Sequence, residues 1–266
     1  MLADSLEAGR HIDPSTPLPR PEAELSISRM SVAAPDGQTM IIRPFSLSLT
    51  GGEFICIAGA NGAGKSSLLQ TLAGVWPTAA GAVSLGGRSI HEWSSEDRGQ
   101  YVGYVPQDVE LLHGTIFENI ARMQDAEPNM VYDAAKRAGA HDMILAMPNG
   151  YETKIGSEKG RRLSAGQRQL IGLARAFFNQ PILLLLDEPS ANLDLKSTQL
   201  MVEALQGAAA NGDIVVAASH DRRLIAGSQT TLLVQNGSVV SMKSPEFLSA
   251  SSQSENRLVS ISGTRA

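Results

Sequence analysis

The chain is 266 residues long with a formal net charge of −5 and a pI near 5.6. That length holds one α/β core with a small subdomain and excludes a pair of nucleotide-sized domains. The acidic balance, with basic residues scattered and only Arg161-Arg162 and Arg222-Arg223 adjacent, speaks against nucleic acid as a partner, and the lone Cys56 excludes a disulfide or cysteine–metal framework and suits a reducing cytoplasm.

Residues 1–22 are polar and carry Pro14, Pro17, Pro19 and Pro21, the composition of a linker. No apolar signal core stands near the N-terminus, and the most apolar run, Ile182 to Leu186, has the length of a strand rather than of a membrane span. Leu25, Ile27, Arg29 and Val32, then Phe45, Leu47 and Leu49, suggest two strands separated by a Pro35-Asp36-Gly37 turn. Phe54 to Ala58 reads as a buried strand, and Ser67 to Leu72 as the first turns of a helix that Gly74 and Pro77 stop. Ala82 to Gly87 reads as a short strand with its turn, and Tyr101 to Val105 as a strand ended by Pro106-Gln107. The period then shifts from two to three or four, which suggests a mainly helical subdomain from about residue 108 to 180. Pro181 opens the strand Ile182 to Leu186, which runs into Asp187-Glu188-Pro189. A helix from about Lys196 to Ala210, a strand Ile214 to Ala218 and a short helix after His220 restore βα alternation, hence a parallel sheet with right-handed crossovers. The main domain spans residues 23–249, and from Phe247 the chain reads as a loose polar tail that fills 250–266.

The stretch Gly59-Ala60-Asn61-Gly62-Ala63-Gly64-Lys65-Ser66 lies between strand and helix and fits the pattern G-x-x-x-x-G-K-[ST]. Its glycines let the backbone curl so that successive N–H groups, with those of the following helix through Ser67, converge on phosphate. Lys65 reaches the outer phosphates and Ser66 ligates Mg²⁺ in this reading, so ATP and Mg²⁺ are the expected ligands. The fold class follows: an α/β P-loop NTPase with a mostly parallel sheet, an N-terminal antiparallel β subdomain and a helical subdomain. Asp187, at the end of an apolar strand, is placed to hold the metal directly or through water, and Glu188 to polarise the attacking water. Gln107, at another strand end, can offer its amide to the metal or the water, and His220 can donate to the outermost phosphate. Taken singly, each is a turn, a strand end or a solvated histidine; their order along the chain favours one site.

Leu163-Ser164-Ala165-Gly166-Gln167 opens a helix, and Ser164 is a good N-cap by itself. The same five residues resemble the signature Leu-Ser-Gly-Gly-Gln of the ATP-binding cassette (ABC) family, with Ala165 in place of a glycine. The resemblance runs in the family's order from Gly59 to His220. It implies two cassettes that dimerise head to tail, so that Ser164, Ala165, Gly166 and Gln167 serve the nucleotide held by a second copy, while Ser190-Ala191-Asn192-Leu193-Asp194, with Asn192 and Asp194, matches the D-loop that links the two sites. Gly74-Val75-Trp76-Pro77-Thr78, Tyr104 to Leu111, Gly114-Thr115-Ile116 with Glu118-Asn119-Ile120, and Ala138-Gly139-Ala140-His141 look like the ATPase half of type I secretion exporters. That likeness implies a transmembrane domain as partner, absent here, the cytoplasmic side of the inner membrane as location, and ATP hydrolysis as activity. Pro14 to Pro21 resembles the join to such a domain, and Glu158 a residue that touches the opposite membrane half. Many cassettes stack an aromatic on adenine near the positions of Ala33 and Ala34, and none is present there in the sequence. A soluble cassette without a transport role is the competing reading.

Overall fold

The computed structural model describes residues 20–156, 160 and 162–251. Glu158, Arg161, most of the proline-rich N-terminal stretch and the tail beyond Ser251 lie outside the described residues.

Two sheets share the work of placing the site. The first is antiparallel, in the order β2-β1-β4-β5, built from β1 (Glu24–Ala33), β2 (Met40–Thr50), β4 (Ala80–Leu85) and β5 (Arg88–Ser89). Leu25 and Ile27 alternate inward, then the pairing slips between Ile27 and Met30, where Arg29 takes φ 45°. The bulge resets the pleat, so Met30 and Val32 are buried where strict alternation from Leu25 would not place them, with Ser31 between them buried as well.

The second sheet has the order β12-β11-β3-β10-β9-β6. Its members are β3 (Phe54–Ala58), β6 (Val102–Val105), β9 (Leu183–Asp187), β10 (Ile214–Ala218), β11 (Thr230–Gln235) and β12 (Ser238–Lys243). All pairs are parallel except β11 with β12. Every residue of β3, β9 and β10 is buried because helices cover one face and α1 with the first sheet covers the other. Leu184, Leu186, Val215 and Ala217 pack in one cluster with α6 (Ala165–Phe177) and α7 (Leu195–Ala210). Leu183, Leu185, Ile214 and Val216 point the other way, onto Leu68, Leu69 and Leu72 of α1 (Lys65–Leu72). Alternate residues of one apolar run thus feed two cores.

Between β6 and β9 lies the helical subdomain: α3 (Ile116–Ile120), α4 (Pro128–Arg137), α5 (His141–Leu145) and α6. It also holds an antiparallel ribbon that the periodicity does not suggest, β7 (Gly114–Thr115) with β8 (Lys154–Ile155). Residues 106–113 have no regular structure, so helix begins later than the change of period at Gln107 implies.

Three further differences have local causes. Tyr101 ends a helix, α2 (Ser95–Tyr101), rather than opening β6; Ser94 caps it by accepting from Asp97 N–H at 3.0 Å. The β11–β12 hairpin turns on Asn236 (φ 51°) and Gly237 (φ 75°), the left-handed pair that a two-residue turn needs. Residues 244–251 are helical where a loose tail is expected from Phe247, with Ser249 and Ser251 hydroxyls donating to the carbonyls four residues back. A short helix α8 (Arg222–Gly227) follows His220.

Candidate functional site

The carboxyl ends of β3, β9, β10 and β6 meet at one edge of the parallel sheet, where α/β proteins gather ligands. There, Asn61, Gly62, Gly64, Lys65, Ser66 and Ser67 face Gln107, Asp187, Glu188 and His220 across an open cleft of about 500 Å³. Four segments far apart in sequence supply the ten residues. Ile41 and Ala191 also line the cleft, and neither carries a sequence signal for it. Gly59 and Ala63 lie on the other side of the loop, facing the β11–β12 turn.

The glycine loop is fixed from outside. A β-carbon at Gly59 would stand 2.5 Å from the Val234 carbonyl oxygen of β11. Gly64 caps α1 with φ 99°, and a β-carbon there would overlap Ile41 Cγ2 and sit 3.2 Å from Ile42 Cδ1. No side chain caps α1, so its first N–H groups are left to a ligand, and the helix dipole favours an anion at that end.

Behind the loop stands a charged cluster. Lys65 is buried; its Nζ donates to the Gly59 carbonyl at 3.0 Å and the Ala60 carbonyl at 3.4 Å and lies 3.7 Å from Glu188 Oε1. His220 Nδ1 lies 3.0 Å from Glu188 Oε2, with the histidine side chain 76% exposed and the carboxylate 10% exposed. Glu188 adopts φ 44°, a left-handed conformation that costs an ordinary side chain roughly 1–2 kcal/mol. Two backbone bonds hold it there: its N–H donates to Ala218 at 2.8 Å and its carbonyl accepts from Ala191 at 3.1 Å. In this conformation the Glu188 side chain lines the cleft.

Asp187 is buried at the end of β9, and burial pushes its pKa up; a bond from Ser66 opposes that shift and the neighbouring Glu188 charge adds to it. Its Oδ1 has no hydrogen-bond partner among the described residues. A buried carboxylate oxygen without a partner, beside a serine hydroxyl and a glycine loop with unpaired N–H groups, is a donor set that fits Mg²⁺, which takes few protein oxygens and completes its shell with phosphate and water. Cys56, beneath the loop, has its thiol pushed up to about 12 by burial and then by the Glu188 charge, which makes it inert.

Two features of this neighbourhood arise only from tertiary contact. Asp221 caps α8, pairs with Arg223 at 2.7 Å and accepts a bond from Ser190, and these bonds hold its carboxyl below the usual range although burial opposes them. It thereby ties the His220 loop to the loop that follows Glu188. Trp76 stands beside Ala33, donating its indole N–H to that carbonyl at 3.2 Å. The sequence shows no aromatic near Ala33 and Ala34, and the fold brings one from 43 positions away, in a pocket that shares no residue with the cleft.

Ser164, Ala165, Gly166 and Gln167 do not line the cleft. Ser164 caps α6 in a reciprocal box, accepting from Gln167 N–H at 3.1 Å while Gln167 Oε1 accepts from Ser164 N–H at 3.0 Å. A β-carbon at Gly166 would stand 3.2 Å from the Asn192 carbonyl, so the start of α6 abuts the loop between Glu188 and α7. Asp194 caps α7 by accepting from Ser197 N–H at 2.7 Å, the bond that chiefly lowers its pKa. Ser164 is exposed, on a surface apart from Lys65.

A family model described as "ABC transporter" matches residues 42–191. The type I secretion system ATP-binding protein PrsD of Rhizobium meliloti is 38% identical over 237 residues, covering 89% of this chain and 40% of that protein. The structure of a bacterial Atm1-family ABC exporter with ATP bound superposes with a TM-score of 0.77 at 27% identity, covering 89% of this chain and 42% of that one. The chain spans about two fifths of the length of these relatives.

Proposed function

The chain belongs to the ABC transporter family, and from that premise we propose that it is the ATP-binding and ATP-hydrolysing part of an exporter. The observation that carries the reading is the strained Glu188 carboxylate, aimed into the same cleft as Lys65, the orphaned Asp187 oxygen and the uncapped start of α1. In this reading the loop N–H groups from Gly62 to Ser67 hold the phosphates of ATP, and Lys65 exchanges its bonds to Gly59 and Ala60 for phosphate oxygens. Ser66 and Asp187 hold Mg²⁺, with Gln107 offering its amide. When bound, Mg²⁺ neutralises charge that develops on the transferred phosphoryl group. Glu188 polarises the attacking water, and His220, beside it, donates to the outermost phosphate.

The second half of the site is proposed to come from another copy of the chain. Ser164 and the exposed N–H groups at the start of α6 serve the partner copy's γ-phosphate, and the abutting Asn192 to Asp194 segment transmits closure between the two sites. ATP then favours the closed pair and ADP does not, because only the γ-phosphate reaches both copies. The resemblance to type I secretion proteins supports a transmembrane export domain as the further partner, a place on the inner face of the cytoplasmic membrane, and protein secretion as the process driven. Among the described residues no helix is long and apolar enough to cross a membrane. No observation here favours the reading as a soluble cassette without a transport role.

The test is steady-state ATPase activity against protein concentration, with size-exclusion chromatography of Glu188→Gln with and without ATP and Mg²⁺. The expected result is a rate per molecule that rises with concentration and a variant that pairs only with ATP. Full activity from a strict monomer would overturn the two-copy site.

A further inference from the structure

Helix α6, which begins at the Ser164–Gln167 box, also grips the segment that carries Gln107, and it does so on both sides of that residue. Before Gln107, β6 runs so close to α6 at Gly103 that a β-carbon there would overlap the Ala176 carbonyl oxygen. After Gln107, buried Val109 seats on Gly172, where a β-carbon would come within 2.6 Å of Val109 Cγ1. One residue on, Arg175 Nη1 donates to the Glu110 carbonyl at 3.0 Å, from a site where burial lowers the arginine pKa. Residues 106–113 have no strand or helix of their own, so side-chain bonds do what a backbone ladder does elsewhere: Arg175 holds Glu110, and Asn119 accepts from the Leu112 N–H at 2.8 Å and donates to the Leu112 carbonyl at 3.0 Å. The far end of α6 is held in turn by Arg122, whose Nε donates to the Arg175 carbonyl at 3.0 Å and whose Nη1 reaches Gly99. Within this grip Gln107 and Asp108 are exposed, and Gln107 alone of the two lines the cleft.

We propose that Arg175, bonded to the Glu110 carbonyl one turn along α6 from the Gly172 seat of the Val109 side chain, is a positioning residue that sets how far the Gln107 amide reaches into the cleft. The inference rests on the reading of Gln107 as a metal-side donor given above. It assigns Arg175 a role without any contact of its own to nucleotide or metal.

The test compares Arg175→Ala, Arg175→Lys, Gly172→Ala and Gln107→Ala in the full chain. Three measurements are made: amide hydrogen exchange over residues 107–111 without nucleotide, ATP affinity in EDTA, and Mn²⁺ binding by EPR to nucleotide-loaded protein carrying Glu188→Gln. Arg175→Ala and Gly172→Ala are expected to speed exchange at 107–111 and to weaken Mn²⁺ binding roughly 10–100-fold, the range for groups that orient a metal ligand, with ATP affinity in EDTA unchanged. Arg175→Lys, which keeps one donor, restores part of the Mn²⁺ affinity. If Gln107→Ala weakens Mn²⁺ binding while Arg175→Ala and Gly172→Ala do not, the positioning role is overturned and the reading of Gln107 stands. If Gln107→Ala leaves Mn²⁺ binding unchanged, that reading falls and the inference with it. Equal losses of ATP affinity in EDTA and of Mn²⁺ affinity would reduce Arg175 to general packing and also overturn the proposal.

Discussion

Gly64→Ala separates two ways in which the phosphate loop depends on glycine. The residue holds φ 99°, so an alanine pays the left-handed penalty of roughly 1–2 kcal/mol in place. Its β-carbon would also overlap Ile41 Cγ2, and overpacking of this kind costs roughly 1–3 kcal/mol. The sum is a loss of roughly 2–5 kcal/mol, a large share of the stability of an ordinary domain. Ile41 lines the cleft proposed to hold ATP, so relief of the clash by moving either partner should also disturb the loop and weaken ATP binding. Urea unfolding of Gly64→Ala, Ile41→Ala and the double variant measures the two contributions. Removing Cγ2 relieves the overlap and leaves the backbone strain, so the double variant should be roughly 1–3 kcal/mol more stable than the two single changes predict by addition. Gly62→Ala is the companion: φ is 78° with nothing within 4 Å of the added carbon, so it should show the backbone penalty alone. Strict additivity of Gly64→Ala with Ile41→Ala would refute the steric half of the argument.

Arg137 pairs with the nearly buried Asp213 at 2.6 Å and stacks 4.6 Å over the Phe177 ring, joining α4 to the loop before β10. Arg137→Ala should destabilise the chain at pH 7 by about 3 kcal/mol, the lower end for breaking a buried pair because Arg137 is 27% exposed. Burial raises the Asp213 pKa even with Arg137 opposing it, so the group's contribution to stability falls as pH rises from the ordinary carboxylate range through its folded value; without Arg137 that fall extends to higher pH and grows larger, and thermal melts of the variant should approach the parent toward pH 4. Cys56, with its thiol pushed up to about 12, should resist maleimide until the domain opens, so its labelling rate should follow denaturant like global unfolding; rapid labelling of the native chain would contradict the burial. Ser164→Ala removes the α6 cap and should lower stability by about 1 kcal/mol. If Ser164 also serves a second copy, its ATPase rate should fall much further than a melting shift of that size explains, whereas a rate that tracks stability alone would leave Ser164 as a cap.

What the sequence determined by itself is what depends on neighbours along the chain. The phosphate loop is a run of eight residues between an apolar strand and a helix, and β3 and α1 lie on either side of it. Ser164 as a cap and Asp187 at a strand end follow the same way, because an N-cap acts over three residues and strand length over five. The Asn236-Gly237 turn and the Ser94 cap of α2 are equally local signals, but the periodicity passes over both. Tertiary structure alone decided the rest. The Glu188 strain is set by bonds to Ala218 and Ala191, the Asp187 orphan by burial at the floor of the cleft, and the bulge at Arg29 by pairing with two strands at once. Trp76 beside Ala33, Asp221 on Ser190 and Arg175 on Glu110 join positions that have no periodic relation. Local spacing fixes which residue types can serve phosphate; only closure of the sheet fixes which atoms face one another across the cleft.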